Sequence, residues 1–250
     1  MGAINDHEKR MLVSRYQALP SGSRIAYIDE SYQPREGRHA GHQPFYLMAA
    51  VILQDKDLTD TREDLIDIAG GNWWHSTEFA MTTGGRTKIR NLVNYLAKYR
   101  DPCIIAAVRI GTTADTTDSE EMSSVKNMRS DCLKELATAI AGPASPLDQL
   151  TPDLLVFEKQ NHSQDTDRDN WVLKQLRKEG AIPRTLSAVH VSPSVEPLLW
   201  LPDVVAHVYR RHATHSQRDV LELTQQTVTV IKSNPPGAVA VIRGVSPLFP

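Results

Sequence analysis

Cysteine is nearly missing from this chain: Cys103 and Cys132 are the only two in 250 residues, with no Cys-x-x-Cys and no Cys/His cluster at zinc spacing. That excludes a disulfide scaffold and a zinc finger. Charge of one sign is missing too. The 28 basic and 30 acidic residues leave a formal net charge of −2, without the basic footprint of a passive nucleic-acid binder. An enzyme that holds metal on carboxylates can act on nucleic acid at neutral overall charge. No long hydrophobic run occurs: the longest, residues 45–53, is too short to span a bilayer. Residues 1–10 are polar and unlike a secretory signal, and Asp6 stands where the Met-Gly myristoylation pattern needs Ser or Thr. There is no GxSxG, HExxH or GxGxxG, which disfavours elbow-type serine hydrolases, zincins and dinucleotide enzymes. No internal repeat or low-complexity tract is found. The expectation is a reduced, cytoplasmic protein with no membrane partner.

What is present is ordinary globular composition, with 40% apolar and 23% charged residues. A chain of this length buries roughly three quarters of its unfolded surface and needs no staples. Apolar runs alternate with helical periodicities. Strands are expected at 24–28, 45–53, 102–110, 154–158, 186–191 and 238–242. Helices are expected at 8–19, 57–69, 87–99, 119–140, 169–178, 196–211 (interrupted by Pro197 and Pro202) and 220–232. The Gly/Pro/His-rich stretch 33–43 reads as a loop, and 141–152 as another. Alternation of this kind argues for one α/β domain over residues 1–250, with its first two strands hairpin-paired. Its core is about 24–215, with the helix at 8–19 and residues 216–250 as extensions.

Four clusters carry chemistry. A buried strand that runs into Asp29-Glu30-Ser31 puts carboxylates at a sheet rim, where α/β proteins build sites; a solvated turn explains the same residues. Asp203 is the one charge in the apolar run 198–206, and a buried carboxylate is costly unless paired or metal-bound. It can also serve the helix dipole in a first turn. His207 and Arg210 follow at four and seven residues, on the same helical face. Glu158 ends another apolar strand, as a ligand or as a strand-edge charge, with Lys159 beside it. His75 and Glu78, three apart, share one side of a helical turn; Ser76 or Thr77 with Glu78 reads equally as a capping box. Thr82-Thr83-Gly84-Gly85-Arg86-Thr87-Lys88 precedes a helix and offers amides, Arg86 and Lys88 to a phosphate, but it lacks P-loop spacing. Trp73 and Trp74 read as core, as a base-stacking platform or as a dimer contact.

In order, Tyr27-Ile28-Asp29-Glu30-Ser31, the strand from Tyr46, His75-x-x-Glu78, Ser192 and the late Leu-x-x-Asp helix at Asp203 resemble the family called domain of unknown function 3800. The likeness covers about residues 24–215. Two departures from the family's Leu-Gln-x-Ala-Asp-Leu helix are Trp200 for its Gln and Pro202 for its Ala, and Glu158 falls where related folds often have Asp. The resemblance implies an RNase H-like mixed β-sheet flanked by helices. It also implies a hydrolase: a metal-dependent nuclease, or nuclease-like phosphodiester hydrolase, with nucleic acid as partner. Two Mg²⁺ or Mn²⁺ ions are the implied cofactors, hard ions suited to oxygen ligands. Asp29, Glu158 and Asp203 are the implied metal ligands, with Glu78 or Glu30 as a fourth carboxylate. His75 and His207 are then proton-transfer or phosphate-orienting groups, and Arg86, Lys88, Lys159 and Arg210 the substrate-binding cations. The alternative is a non-catalytic nucleic-acid- or protein-binding module on the same fold.

Overall fold

The computed structural model describes residues 2–33, 45–99, 103–109, 118–143, 150–160, 163–215, 228–233 and 239–243. In chain order, α1 (Gly2–Gln17) leads into the antiparallel pair β1 (Arg24–Gln33) and β2 (Phe45–Gln54). Three helices follow: α2 (Leu58–Ala69), the single turn α3 (Ser76–Phe79) and α4 (Thr83–Tyr99). Then come β3 (Cys103–Arg109), α5 (Asp118–Ala141), β4 (Leu154–Glu158), α6 (Ser163–Glu179), β5 (Ser187–Val191) and α7 (Trp200–His215). Strands β6 (Val228–Ser233) and β7 (Val239–Arg243) close the described chain.

The strands form one sheet in the order β5-β4-β1-β2-β3-β6-β7. The five from β5 to β3 are a mixed sheet flanked by helices, and β6 and β7 lengthen it beyond β3. β1 is parallel to β4, and β4 to β5; β2 and β7 run against their neighbours.

Period-two alternation divides the core into two layers. Ile25, Tyr27, Leu47, Ala49, Val51, Leu154 and Val156 face α2, α4 and α7. Ala26, Ile28, Met48, Ala50, Ile52, Leu155 and Phe157 face α5 and α6. β2 is buried along nine of its ten residues, because both layers cover it and it is paired on both edges.

Some boundaries differ from the sequence expectation. β1 does not stop at Ile28: Asp29, Glu30, Ser31, Tyr32 and Gln33 continue the ladder opposite Ala49, Met48, Leu47, Tyr46 and Phe45. The expected helix over 220–232 is a strand at Val228–Ser233, paired with β3 and β7. The β-branched run Thr227-Val228-Thr229-Val230-Ile231 favours a pleated strand over a helix; residues 220–227 lie outside the described ones. The expected helix 196–211 is a short 3₁₀ turn, Pro197–Leu199, followed by α7. Glu196 caps that turn, accepting from the Leu198 N–H, and Pro202 sits in the first turn of α7, where no N–H is needed. The expected loop over 33–43 lies outside the described residues but for Gln33, which ends β1.

Candidate active site

Asp29 and Glu158 lie one step past Ile28 and Phe157, the last register pair of the parallel strands β1 and β4. Both belong to the face turned towards α7, Asp29 in step with Ile25 and Tyr27 on β1 and Glu158 in step with Leu154 and Val156 on β4. Neighbouring strands stand about 4.8 Å apart, so the two carboxyl groups are brought side by side. Each is within hydrogen-bonding reach of the other, and burial with like charge favours a proton on the pair. Across from them, Asp203 on the first turn of α7 faces the same cleft, whose volume is about 290 Å³.

All three carboxyl groups titrate above the ordinary carboxylate range. For Asp29 the first cause is burial, then the charges of Glu158 and Asp203. Glu158 is raised by burial and by Asp203. Asp203 is raised by burial, against hydrogen bonds from Ser76 and Trp74 that favour its charged form. The Ser76 backbone N–H donates to Asp203 Oδ2 at 2.8 Å. Asp203 therefore caps α3, whose own cap residue, His75, supplies no side-chain bond. Asp203 thus stands in the first turn of α7, as expected, and also caps a neighbouring turn.

α3 is held in turn by α4. A Cβ on Gly85 would lie 2.0 Å from the Phe79 carbonyl oxygen, so only glycine permits this approach. The segment 82–88 is the start of α4, with Thr82 Oγ1 accepting from the Gly85 N–H at 3.0 Å. Trp74 packs between Phe79 (4.6 Å) and Trp200 (6.3 Å), and its Nε1 donates to Ser76 Oγ. Trp74 is core, while Trp73 stands half-exposed against Phe79.

The cleft also contains His75, Thr77, His207 and Arg210. Arg210 donates to Thr77 Oγ1 at 3.2 Å. His207 is buried, and its pKa is pushed down to about 4 by that burial and by Arg210 and Arg211, so the ring is neutral at physiological pH.

Other expected site residues stand elsewhere. The Glu30 backbone borders the cleft, but its carboxylate belongs to the opposite face of the sheet, bonded to Arg129 and the Tyr46 hydroxyl. Glu78 is solvent-exposed and not part of the cleft wall. Arg86 is exposed and bonded to Ala80 O and Thr83 Oγ1. Lys88 donates to Ala69 O and lies over the Phe79 ring. Lys159 pairs with Glu8 of α1 at 2.6 Å. Glu30, Arg86, Lys88 and Lys159 are each bonded elsewhere, and none of them is gathered at the carboxylates.

The opposite face carries a cluster that sequence reasoning missed. Arg129 on α5 grips Asp169 on α6 through two bonds, at 3.0 and 2.7 Å, and also reaches Glu30 and Tyr46. His190 Nε2 lies 3.0 Å from Asp169 Oδ2, and the imidazole stacks on Phe157 at 4.8 Å. Burial would raise Asp169, but the bonds from His190 and Arg129 hold its carboxyl below the usual range. The signal was a charge on an apolar stripe. Arg129 stands four residues after Val125 and three before Cys132, and Asp169 four before Leu173.

Among the described residues, no group of three or more His, Cys, Asp or Glu is arranged as a ready metal-binding cluster. No helix among them is long and apolar enough to cross a membrane. No protein-family model matches the chain, and comparison with curated proteins finds no match.

Proposed function

We propose that this chain is a metal-dependent phosphodiester hydrolase, a nuclease, built on an RNase H-like sheet. The observation that carries the reading is the convergence of Asp29, Glu158 and Asp203 on one cleft from the first strand, a middle strand and the last described helix. RNase H-like nucleases gather their carboxylates from those three places, and the resemblance to domain of unknown function 3800 names the same residues. All three carboxyl groups are raised first by burial, and Asp29 and Glu158 also by neighbouring carboxylates; such cost concentrates at functional sites.

The donor set fits Mg²⁺ or Mn²⁺ in its chemistry, since all three ligands are carboxylate oxygens. With no cation bound, burial and like charge favour a proton on the Asp29–Glu158 pair. Bound there, divalent ions would polarise a phosphoryl oxygen and generate hydroxide from water. Asp29 and Glu158 would hold them from the sheet, and Asp203 from α7. Asp203 stays oriented through its Ser76 bond. His75, exposed and lining the cleft, would be the group that passes a proton to the leaving oxygen. Trp74 and Trp200 close the floor against water.

A non-catalytic binding module on the same fold is the second reading, favoured by the absence of a ready three-ligand cluster among the described residues. A cleavage panel separates the two. Labelled single- and double-stranded DNA and RNA and an RNA–DNA hybrid are incubated with the protein in Mg²⁺, Mn²⁺ or EDTA, beside Asp29→Asn and Asp203→Asn. The nuclease reading expects metal-dependent cutting that both variants lose. Folded protein that neither binds Mn²⁺ nor cuts any substrate would overturn it in favour of the binding module.

A further inference from the structure

The carboxylates account for one end of the cleft only. At its other end His207, Arg210 and Thr77 form a basic and hydrogen-bonding wall. His207 is 4% exposed, yet its Nδ1 has no hydrogen-bond partner among the described residues. Buried polar atoms are seldom left unpaired, so this one on a residue of the cleft wall calls for a partner. Asp203, His207 and Arg210 follow one another on a single face of α7, so the basic groups begin one turn, about 6 Å of rise, beyond the carboxylate.

We propose that His207, Arg210 and Thr77 seat a second phosphate of the substrate, one sugar-phosphate step from the phosphate held at Asp29, Glu158 and Asp203. The inference rests on the phosphodiesterase reading and adds to it the substrate's recognition element: an anionic phosphate next to the bond that is cut. The chemistry of the wall supports phosphate over a neutral ligand. The guanidinium of Arg210 supplies the charge and is held in place by Thr77 Oγ1 at 3.2 Å. The neutral imidazole of His207 supplies a hydrogen bond without a second charge to desolvate. A positive wall also offsets the repulsion that the three carboxyl groups exert on an incoming anion. The cleft volume, about 290 Å³, is that of a small-molecule site and suits one nucleotide unit, not a duplex.

The test is calorimetric binding in EDTA, so that it reads the wall without metal or turnover. Adenosine, its 5′-monophosphate and a dinucleoside monophosphate are titrated into the full chain and into His207→Ala and Arg210→Lys. Thermal melts establish that both variants are folded. The monophosphate is expected to bind at least ten-fold more tightly than adenosine. Arg210→Lys is expected to cost about ten-fold, and His207→Ala about three- to ten-fold, the loss of one hydrogen bond. If the dinucleoside monophosphate binds as well as the monophosphate, the seat takes an internal diester; if only the monophosphate binds, it takes a phosphorylated end. Equal binding of adenosine and monophosphate, no saturable binding at millimolar monophosphate, or affinities unchanged in both variants would overturn the proposal. Phosphate binding that passes this test in a protein that cuts nothing would sink the nuclease reading and leave the seat standing. Cleavage without phosphate preference would do the reverse.

Discussion

Replacing Asp29 by Asn should make the protein more stable while removing its activity, and the gain should depend on pH. Asp29 is buried next to Glu158, its carboxyl raised first by burial and then by the charges of Glu158 and Asp203. A carboxyl raised on folding takes up a proton that the unfolded chain does not hold, so stability falls as pH rises above the unfolded pKa. The ceiling on that cost is set by the distance from the unfolded pKa, 3.8, to the working pH. At pH 7 and 1.36 kcal/mol per unit it is about 4 kcal/mol, and at pH 4 it is close to zero. Asn has the same shape, needs no proton, and offers an N–H₂ donor to Glu158 in place of the shared one. The expected gain is about 1–4 kcal/mol at pH 7. For a chain of this size that raises Tm by roughly 3–12 °C. Melts of both proteins from pH 4 to pH 8 in EDTA measure it. Saturating Mn²⁺ should close part of the gap, by stabilising the native chain alone. A loss of stability at pH 7, or the same gain at pH 4 and pH 7, would refute the claim that Asp29 is held against electrostatic cost.

Arg129→Met leaves Asp169 and Glu30 without their shared cation and should cost about 3–5 kcal/mol, the usual penalty for breaking a buried pair on one side. Urea unfolding checks it, and a loss under about 1 kcal/mol would mean that the cluster is wetter than its burial implies. Adding Asp169→Leu should recover part of that loss, because two matched removals cost less than one orphaned charge. Asp169 itself is lowered on folding, so its contribution is present above the unfolded carboxylate pKa and is lost as pH falls through the folded one. Asp169→Asn should therefore lose stability at neutral pH and show a shallower acid limb below about pH 4; parallel acid limbs in the two proteins would contradict this.

Six strands, β1 to β5 and β7, were legible because each is a short apolar run bounded by turn residues, and the antiparallel pairing of β1 with β2 followed from their adjacency. β6 was not: the expected helix over 220–232 ran through the β-branched stretch after Thr227, and pairing with β3 decides for the strand. The carboxylates Asp29, Glu158 and Asp203 were legible as charges interrupting apolar runs. Of the four expected cations, only Arg210 lies in the cleft. Arg86, Lys88 and Lys159 looked available because a sequence shows charge without showing what already binds it; their partners are Thr83, Ala69 and Glu8. Arg129 and Asp169 were overlooked for the converse reason, since each makes sense only with the other, 40 residues away.

The hardest pair to read was Asp29-Glu30, adjacent in sequence and similar in chemistry. Had β1 ended at Ile28, both would sit in one turn and both would be candidates for one site. Because the ladder continues opposite Ala49 and Met48, the pleat sends them to opposite faces. Asp29 enters the cleft, and Glu30 is bound by Arg129 and Tyr46 behind it. The same division recurs on β4. Glu158 faces the cleft, while its neighbour Phe157 is stacked by His190, which Asp169 holds. The two strands that bring like charges together are thus each fixed from behind by one ion-pair cluster. Such fixing is required physically: without a cation, Asp29 and Glu158 repel as soon as their proton leaves. An unrestrained pair of strand ends would relax that repulsion by fraying apart. The buried charges of the opposite face are, in this account, what keeps the buried charges of the cleft within reach of one another.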